Sequence, residues 1–194
     1  KGFFRNLNVR KSYQKNKLLI ELVTSSNQVE KFNSISFSKK IISLHESRIE
    51  GIIHTINDNI SDRINYNSVI SKTVYGNDKI TEEILDLNFE IYMSSFFQTN
   101  PLCAEKLYEK VMQYSLMNSN NNKPVVLDLF CGTGTIAQMI ASKQKNINII
   151  GVDIVESAIK NAKKSAIKNK IKNVDFYTLD VGDFLTKNPE LKNQ

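Results

Sequence analysis

Two glycines and two aspartates in the second half of the chain have the residue types and spacing of a cofactor site. Gly132 and Gly134 lie in a short turn after the apolar run 125–127, and a helical segment follows them. Glycine lets the backbone turn sharply and lets a ligand approach its N–H groups. Asp128 ends the first predicted strand and Asp153 ends the next. Since open α/β sheets bind ligands at the carboxyl ends of their strands, these residues predict a cofactor pocket at that edge.

Two classes of cofactor fit this turn. The spacing Gly132-x-Gly134-x-x-Ala137 matches the dinucleotide pattern, and Asp153 lies near the distance at which a carboxylate binds ribose hydroxyls. Asp128 separates the classes, because a carboxylate there would repel a pyrophosphate but would suit the ammonium of a methionine moiety. The sequence therefore favours S-adenosylmethionine over NAD. Asp180, after a third predicted strand, could accept a hydrogen bond from an adenine amino group.

Strands and helices must alternate around these residues to position them. Apolar runs and helical stripes alternate after residue 95, which predicts the first half of a Rossmann-like parallel sheet over 96–194. Residues 1–95 contain several strand signals ended by turn clusters, and the segment 31–44 fits neither the helix period nor the strand period. The expected fold class is α/β, with a small central α+β domain followed by the cofactor-binding domain.

Composition limits the classes of partner and site. The chain carries 26 basic and 20 acidic residues, for a formal charge of +6, so an anionic partner is allowed. Residues 1–17 hold six basic residues and no acid, which fits either a phosphate-binding surface or a solvated strand edge. Two cysteines and two histidines predict no metal site. The absence of long apolar runs predicts no membrane span, and the rarity of cysteine favours a reducing, cytoplasmic location.

Four segments carry a family resemblance over nearly the whole chain. In order, they are Gly2-Phe3-Phe4-Arg5-Asn6-Leu7, Glu50-Gly51-Ile52-Ile53-His54-Thr55-Ile56-Asn57, Ser95-Phe96-Phe97-Gln98-Thr99-Asn100-Pro101 and Asp128-Leu129-Phe130-Cys131-Gly132-Thr133-Gly134-Thr135. Together they resemble the RNA uracil-C5 methyltransferases, most closely the bacterial enzymes that act on 23S ribosomal RNA. The chain departs from the family at Lys170, which stands where glycine is common.

The resemblance implies a set of cofactor contacts. S-adenosylmethionine is the implied cofactor, Gly132 and Gly134 would form the floor of its pocket, and the lining residues would be Gln98, Phe130, Thr135, Asp153 and Asp180. RNA, with ribosomal RNA favoured, is the implied partner, and no obligate protein partner is expected.

The resemblance also implies that the catalytic residues lie outside this chain. In the family, a cysteine thiolate adds to C6 of the uracil, and a glutamate base later removes the C5 proton. Cys131 lies in the cofactor turn, where the family carries a cysteine that is not the nucleophile, and Cys103 is expected in a helix core. We therefore expect no catalytic residue and no turnover in these 194 residues. Two alternatives are an NAD-dependent oxidoreductase and a non-catalytic RNA-binding module that uses the basic stretch before Leu18.

Overall fold

The computed structural model describes residues 2–59, 64–66, 68–115 and 125–193. Its contacts divide the chain into two compact units. The first contains the residues up to Glu82 together with Glu90–Ser94, and the second contains Glu83–Phe89 and the residues from Ser95 onward. The strand signals of the sequence predict a single boundary near residue 95. The difference is the segment Glu83–Phe89, whose apolar side chains belong to the core of the second unit.

A four-stranded sheet forms the centre of the first unit. Its strands, in spatial order, are β1 (Phe4–Lys11), β2 (Leu18–Thr24), β3 (Ile49–Ile56) and β4 (Ile70–Gly76). The pairs β1–β2 and β3–β4 are antiparallel, whereas β2 and β3 are parallel and are joined through helix α1 (Ser34–His45). A hairpin of β5 (Lys79–Ile84) and β6 (Leu87–Tyr92) follows.

The ambiguous segment 31–44 is mostly helical. Asn33 caps α1, because its side chain accepts a hydrogen bond from the Ser36 N–H at 2.9 Å. Phe37 and Ile41 of the helix pack against the buried core formed by Ile20, Ile49 and Ile52 of the sheet. Tertiary packing of this face therefore decides a segment whose own pattern was indecisive.

The basic stretch before Leu18 does not form one continuous surface. Arg10 turns inward and donates a hydrogen bond to the Met93 carbonyl oxygen at 3.1 Å. Burial lowers the pKa of Arg10, and the nearby charge of Glu21 opposes this shift. Lys11 is exposed, as expected for the next residue of a strand, whose side chain points to the opposite face. Arg10 is thus half-buried and hydrogen-bonded to the backbone, unlike the exposed Lys11 beside it.

The second unit contains a three-stranded parallel sheet in the order β7, β8, β9. Its elements are α2 (Pro101–Ser115), β7 (Val125–Leu129), α3 (Thr135–Lys143), β8 (Asn148–Asp153), α4 (Glu156–Lys168), β9 (Val174–Thr178) and α5 (Val181–Lys187). The core joins Ile149 and Phe176 of the sheet with Ile140 of α3 and Ile159 of α4. This alternation agrees with the predicted Rossmann-like order.

Helix α2 corrects the expectation for Cys103. Asn100 caps this helix by accepting a hydrogen bond from the Cys103 N–H at 3.1 Å. The buried residues of α2 are Ala104 and Tyr108, one turn apart, and Cys103 lies outside that stripe and is exposed. The expected core position of Cys103 is therefore wrong. Across the described residues, no helix has both the length and the apolar character needed to cross a membrane.

Lys170 occupies a backbone conformation that favours glycine. Its φ is +56°, and the next residue, Ile171, donates its N–H to the Ala166 carbonyl oxygen at 2.9 Å, so α4 ends in a Schellman-type turn. A side chain in this left-handed region is strained. We expect Lys170→Gly to raise the free energy of unfolding by about 0.5–1 kcal/mol, measured by urea denaturation.

Lys163, an exposed residue within α4, provides the matched control. Lys163→Gly should lower the free energy of unfolding by about 1 kcal/mol, because glycine disfavours a helix interior. If the two glycine variants were equally destabilising, the assignment of strain to Lys170 would be wrong.

Candidate cofactor site

The parallel sheet places the predicted acids along one edge. In the register of the strands, Asp128 lies opposite Gly151 and Asp153 lies opposite Thr178. Asp180 follows the end of β9. The loops that follow the three strands therefore meet at the carboxyl edge of the sheet, which is the usual ligand-binding edge of such folds.

The Asp128 carboxylate is fixed by the helix that follows the glycine turn. Its Oδ2 accepts a hydrogen bond at 3.0 Å from the Ala137 N–H, one of the first N–H groups of α3, which have no partner within the helix. Burial raises the pKa of Asp128 to about 6, the Ala137 hydrogen bond opposes this shift, and the charge of Asp153 adds to it. The carboxyl group is thus oriented, largely desolvated and close to a second carboxylate.

Asp153 bridges two loops of the sheet edge. Its Oδ2 accepts a hydrogen bond from the Gly132 N–H at 2.8 Å, and its Oδ1 accepts one from the Val155 N–H at 2.9 Å. The turn after β7 and the turn after β8 are therefore held by a single carboxylate. Each oxygen has a second lone pair, so the group can still accept hydrogen bonds from a ligand.

The two predicted glycines are required for different reasons. Gly132 has φ +55°, and a Cβ built on it would meet no atom within 4 Å. Gly134 has φ +69°, but a Cβ there would lie 2.5 Å from Cζ of Phe176 and 3.1 Å from Cβ of Ala162. Gly132 therefore leaves open space beside the turn, whereas Gly134 allows the helix to pack against the core.

Phe130 is a strained and exposed residue of the same turn. Its φ is +63°, and its side chain is 76% exposed. A bulky residue in this conformation costs about 1–2 kcal/mol, and such strain is concentrated at binding and catalytic sites. The observed geometry is consistent with a side chain that contacts a ligand.

Cys131 is a poor candidate for a nucleophile. Burial raises the pKa of its thiol to about 12, and the charges of Asp128 and Asp153 add to this shift. Since the thiolate is the reactive form, the side chain is unreactive at neutral pH. In the described parts of the chain, no group of three or more His, Cys, Asp or Glu residues could hold a metal ion.

The structure shows fewer contacts that bear on the remaining predicted cofactor residues. Thr135 begins α3 and is buried, with its Oγ1 3.4 Å from Oγ1 of Thr133. Asp180 caps α5, because its Oδ1 accepts hydrogen bonds from the N–H groups of Gly182 and Asp183. Gln98 lies half-buried in the loop before α2, and no hydrogen bond joins its side chain to the acids within the described residues. The binding roles of all these residues stay predictions.

Three further residues, which no motif of the sequence indicates, border this edge. Ile154 and Val155 follow Asp153 and are large apolar residues exposed to solvent. Tyr108 of α2 is buried, and its pKa is raised mainly by burial and further by the charge of Asp128. The sequence does carry a signal for Ile154 and Val155, because two apolar residues directly follow the acid that ends the strand. Tyr108 has the spacing of a core residue of α2, so its spacing alone does not identify it as a residue of this edge.

The chain is similar to known methyltransferases. Residues 120–192 match a family model described as a methyltransferase domain. An uncharacterized RNA methyltransferase of Clostridium acetobutylicum is 40% identical over 187 residues, which cover 96% of this chain and 39% of that protein. Another from Clostridium tetani is 37% identical over 185 residues, covering 95% of this chain and 39% of that protein. The chain thus spans about two fifths of these relatives, and its predicted resemblance to RNA methyltransferases is confirmed.

Solved structures show the same fold. The crystal structure of a Pyrococcus abyssi tRNA (uracil-54, C5)-methyltransferase in complex with S-adenosyl-L-homocysteine aligns with a TM-score of 0.66 and 23% identity, covering 91% of this chain and 39% of that one. A SAM-dependent methyltransferase from Agrobacterium tumefaciens aligns with a TM-score of 0.52 and 12% identity, covering 98% and 56% of the two chains. The predicted α/β fold class is confirmed.

Proposed function

We propose that this chain is part of an S-adenosylmethionine-dependent RNA methyltransferase that modifies C5 of uracil, with ribosomal RNA as the favoured substrate. The names of the curated relatives support RNA methylation. The uracil-C5 assignment is supported by the four family segments and by the fold of the tRNA uracil-C5 enzyme, which was crystallised with S-adenosyl-L-homocysteine.

The observation that carries the proposal is the pair of carboxylates at the sheet edge. Asp128 ends β7 and Asp153 ends β8, and the two lie close enough for the charge of Asp153 to add to the shift that burial causes in the pKa of Asp128. S-adenosylmethionine brings two cationic groups, an ammonium and a sulfonium, whereas NAD brings an anionic pyrophosphate. Opposite charge stabilises a ligand in a desolvated site, and like charge repels it. The oxidoreductase alternative is therefore disfavoured.

Each residue of the turn has a role that its chemistry allows. Asp128 would bind the ammonium, since its Oδ2 is already held by α3 and its other oxygen remains for the ligand. Asp153 would accept hydrogen bonds from the ribose hydroxyls. Gly132 leaves the space that the ligand needs. The cofactor supplies the methyl group, and the residues of this chain hold and orient it.

The other predicted contacts are assigned by the resemblance and by their positions. Gln98 would bind the methionine end, Phe130 and Thr135 would line the pocket, and Asp180 would contact the adenine edge. Cys131 is not proposed as the nucleophile, because burial holds its thiol neutral, and no observation assigns a role to the exposed Cys103. We therefore propose that the chain binds cofactor without catalysing methyl transfer on its own.

A calorimetric titration with S-adenosylhomocysteine beside NAD tests the cofactor assignment. We expect saturable binding of S-adenosylhomocysteine and none of NAD. Binding of NAD alone would overturn the proposal.

An experiment that identifies the methylated atom requires the longer protein. RNA that carries tritium at C5 of uracil should release tritium into water during methylation, since the C5 hydrogen is replaced. Methyl transfer without tritium release would contradict the uracil-C5 assignment. Parallel reactions with ribosomal RNA and tRNA would decide the substrate.

The pKa of Asp128 makes cofactor affinity depend on pH. A cationic ligand binds the ionised carboxylate, and the free group titrates at about pH 6, so affinity should rise as the pH increases. We expect S-adenosylhomocysteine to bind about tenfold more tightly at pH 7 than at pH 5, measured by calorimetry. Asp128→Asn should bind weakly and with little pH dependence. An unchanged pH profile in this variant would show that another group titrates.

A further inference from the structure

An open cavity of about 230 Å³ lies at the start of the first sheet. We call it the aromatic pocket, and its lining residues are Phe3, Phe4, Gln28, Lys31 and Phe32. It lies in the first unit, and none of its residues belongs to the candidate cofactor site. Pockets that enclose a whole drug-sized ligand measure roughly 300–1,000 Å³. The aromatic pocket is therefore suited to one group of a larger ligand.

Three phenylalanine rings form the wall of the aromatic pocket. The ring centroids of Phe3 and Phe4 lie 5.0 Å apart, and Phe32 lies 5.5 Å from Phe3 and 5.7 Å from Phe4. The rings meet at angles of 57–86°, so they touch by their edges rather than covering one another's faces. The rings of Phe37 and His54 lie beside that of Phe32, with centroid distances of 6.0 Å and 5.3 Å. The wall is thus braced by neighbouring rings.

Phe4 leaves much of its ring in solvent. Its side chain is 62% exposed although it belongs to the aromatic cluster. Exposed apolar clusters rimmed by polar groups mark interaction sites more often than single exposed residues do. A planar partner could therefore stack on Phe4 without any displacement of the core.

The polar groups around the rings suit an anionic partner with hydrogen-bonding edges. Lys31 and Gln28 both line the cavity and are exposed. The strand that begins at Phe4 belongs to a 17-residue stretch without a single acid. Two acids are nearby. Asp58 accepts a hydrogen bond from the Ser26 N–H and interacts with Arg5, so its charge is partly offset. Glu30 precedes Lys31 in the sequence.

We propose that the aromatic pocket holds one unpaired nucleobase of an RNA, stacked on Phe4, with an adjacent phosphate close to Lys31. Single-stranded RNA is recognised by stacking of bases on aromatic side chains beside basic groups. This inference rests on the proposed function, because it names the surface of the first unit that would bind the RNA of the methyltransferase.

Fluorescence anisotropy with a labelled 12-nucleotide single-stranded RNA tests the stacking. Stacking of one base is worth about 1–3 kcal/mol, so Phe4→Ala should weaken binding about 5- to 150-fold. Phe4→Leu, which keeps the apolar volume without a π face, should lose a similar amount, and Phe4→Tyr should bind within about threefold of the parent chain. Leu7→Ala, a change at another exposed apolar residue of β1, is the matched control and should bind like the parent.

Two further readouts separate the outcomes. With 5-iodouracil in the RNA, ultraviolet cross-links should map to the tryptic peptide Gly2-Phe3-Phe4-Arg5 or to the peptide that begins at Phe32. Equal binding by Phe4→Ala and Leu7→Ala, full binding by Phe4→Leu, or no binding of RNA by the parent chain would each overturn the inference. If the surface bound an apolar peptide instead, Phe4→Leu would keep full binding. The titration with S-adenosylhomocysteine tests the proposed function separately and should be unaffected by Phe4→Ala.

Discussion

Replacing Asp153 with alanine should weaken S-adenosylhomocysteine binding at least 100-fold. Two hydrogen bonds from ribose hydroxyls to a carboxylate contribute about 1.5–3 kcal/mol each, and the variant loses both. The same change leaves the N–H groups of Gly132 and Val155 without the oxygens that now accept their hydrogen bonds. The free energy of unfolding should therefore fall by about 1–3 kcal/mol. Calorimetry and urea denaturation measure the two effects.

Two other variants separate contact with the ligand from support of the loops. Asp153→Asn keeps one oxygen, so it can accept a hydrogen bond from only one of the two backbone donors, and it should be intermediate in both measurements. Asp175 is an exposed aspartate of β9, and Asp175→Asn should change neither. Normal binding of S-adenosylhomocysteine by Asp153→Ala would remove Asp153 from the cofactor site.

Gly134→Ala should destabilise the chain by about 3–4 kcal/mol. A methyl group at this position would collide with the buried ring of Phe176, and overpacking of a core costs about 1–3 kcal/mol. The positive φ of Gly134 adds about 1–2 kcal/mol for any residue with a Cβ. Thermal unfolding should show a midpoint lowered by roughly 10 °C.

Gly132→Ala is the matched control for Gly134→Ala. It carries the same backbone strain without the collision, so it should cost about 1–2 kcal/mol of stability while weakening cofactor binding through the lost space. Phe176→Leu tests the collision itself, because the cost of Gly134→Ala should shrink by about 1–2 kcal/mol in that background. Equal destabilisation by the two glycine variants would show that Phe176 does not determine the need for glycine at position 134.

The sequence predicted local features of the site well, because those features depend on short stretches of chain. The apolar run, the glycine turn and the following helix lie within about twenty residues, and the structure contains β7, the turn and α3 in that order. The position of Asp153 at the end of β8 follows from the same local pattern. These features needed no knowledge of strand pairing.

The roles that depend on pairing could not be predicted. Asp153 reaches Gly132 across 21 residues, and only the register of β7 and β8 brings them together. The resemblance predicts Gly134 as part of the cofactor floor, which stays a prediction. That a side chain at this position would collide with the ring of Phe176 on β9 follows only from the pairing of the strands. The basic stretch predicts an exposed Arg10, whereas its guanidinium donates a hydrogen bond to the Met93 carbonyl oxygen, 83 residues away in the sequence.

Because the Asp153 carboxylate joins the turns after β7 and β8, the fold itself holds these two turns together. The conformational entropy of these two turns is lost during folding, not when the cofactor arrives, and a ligand that meets an ordered edge binds with a smaller entropic penalty. Asp128, anchored to α3, contributes in the same way. Part of the folding free energy at this edge therefore serves ligand binding. A substitution that loosens these two turns should lower both the stability of the fold and its affinity for the cofactor.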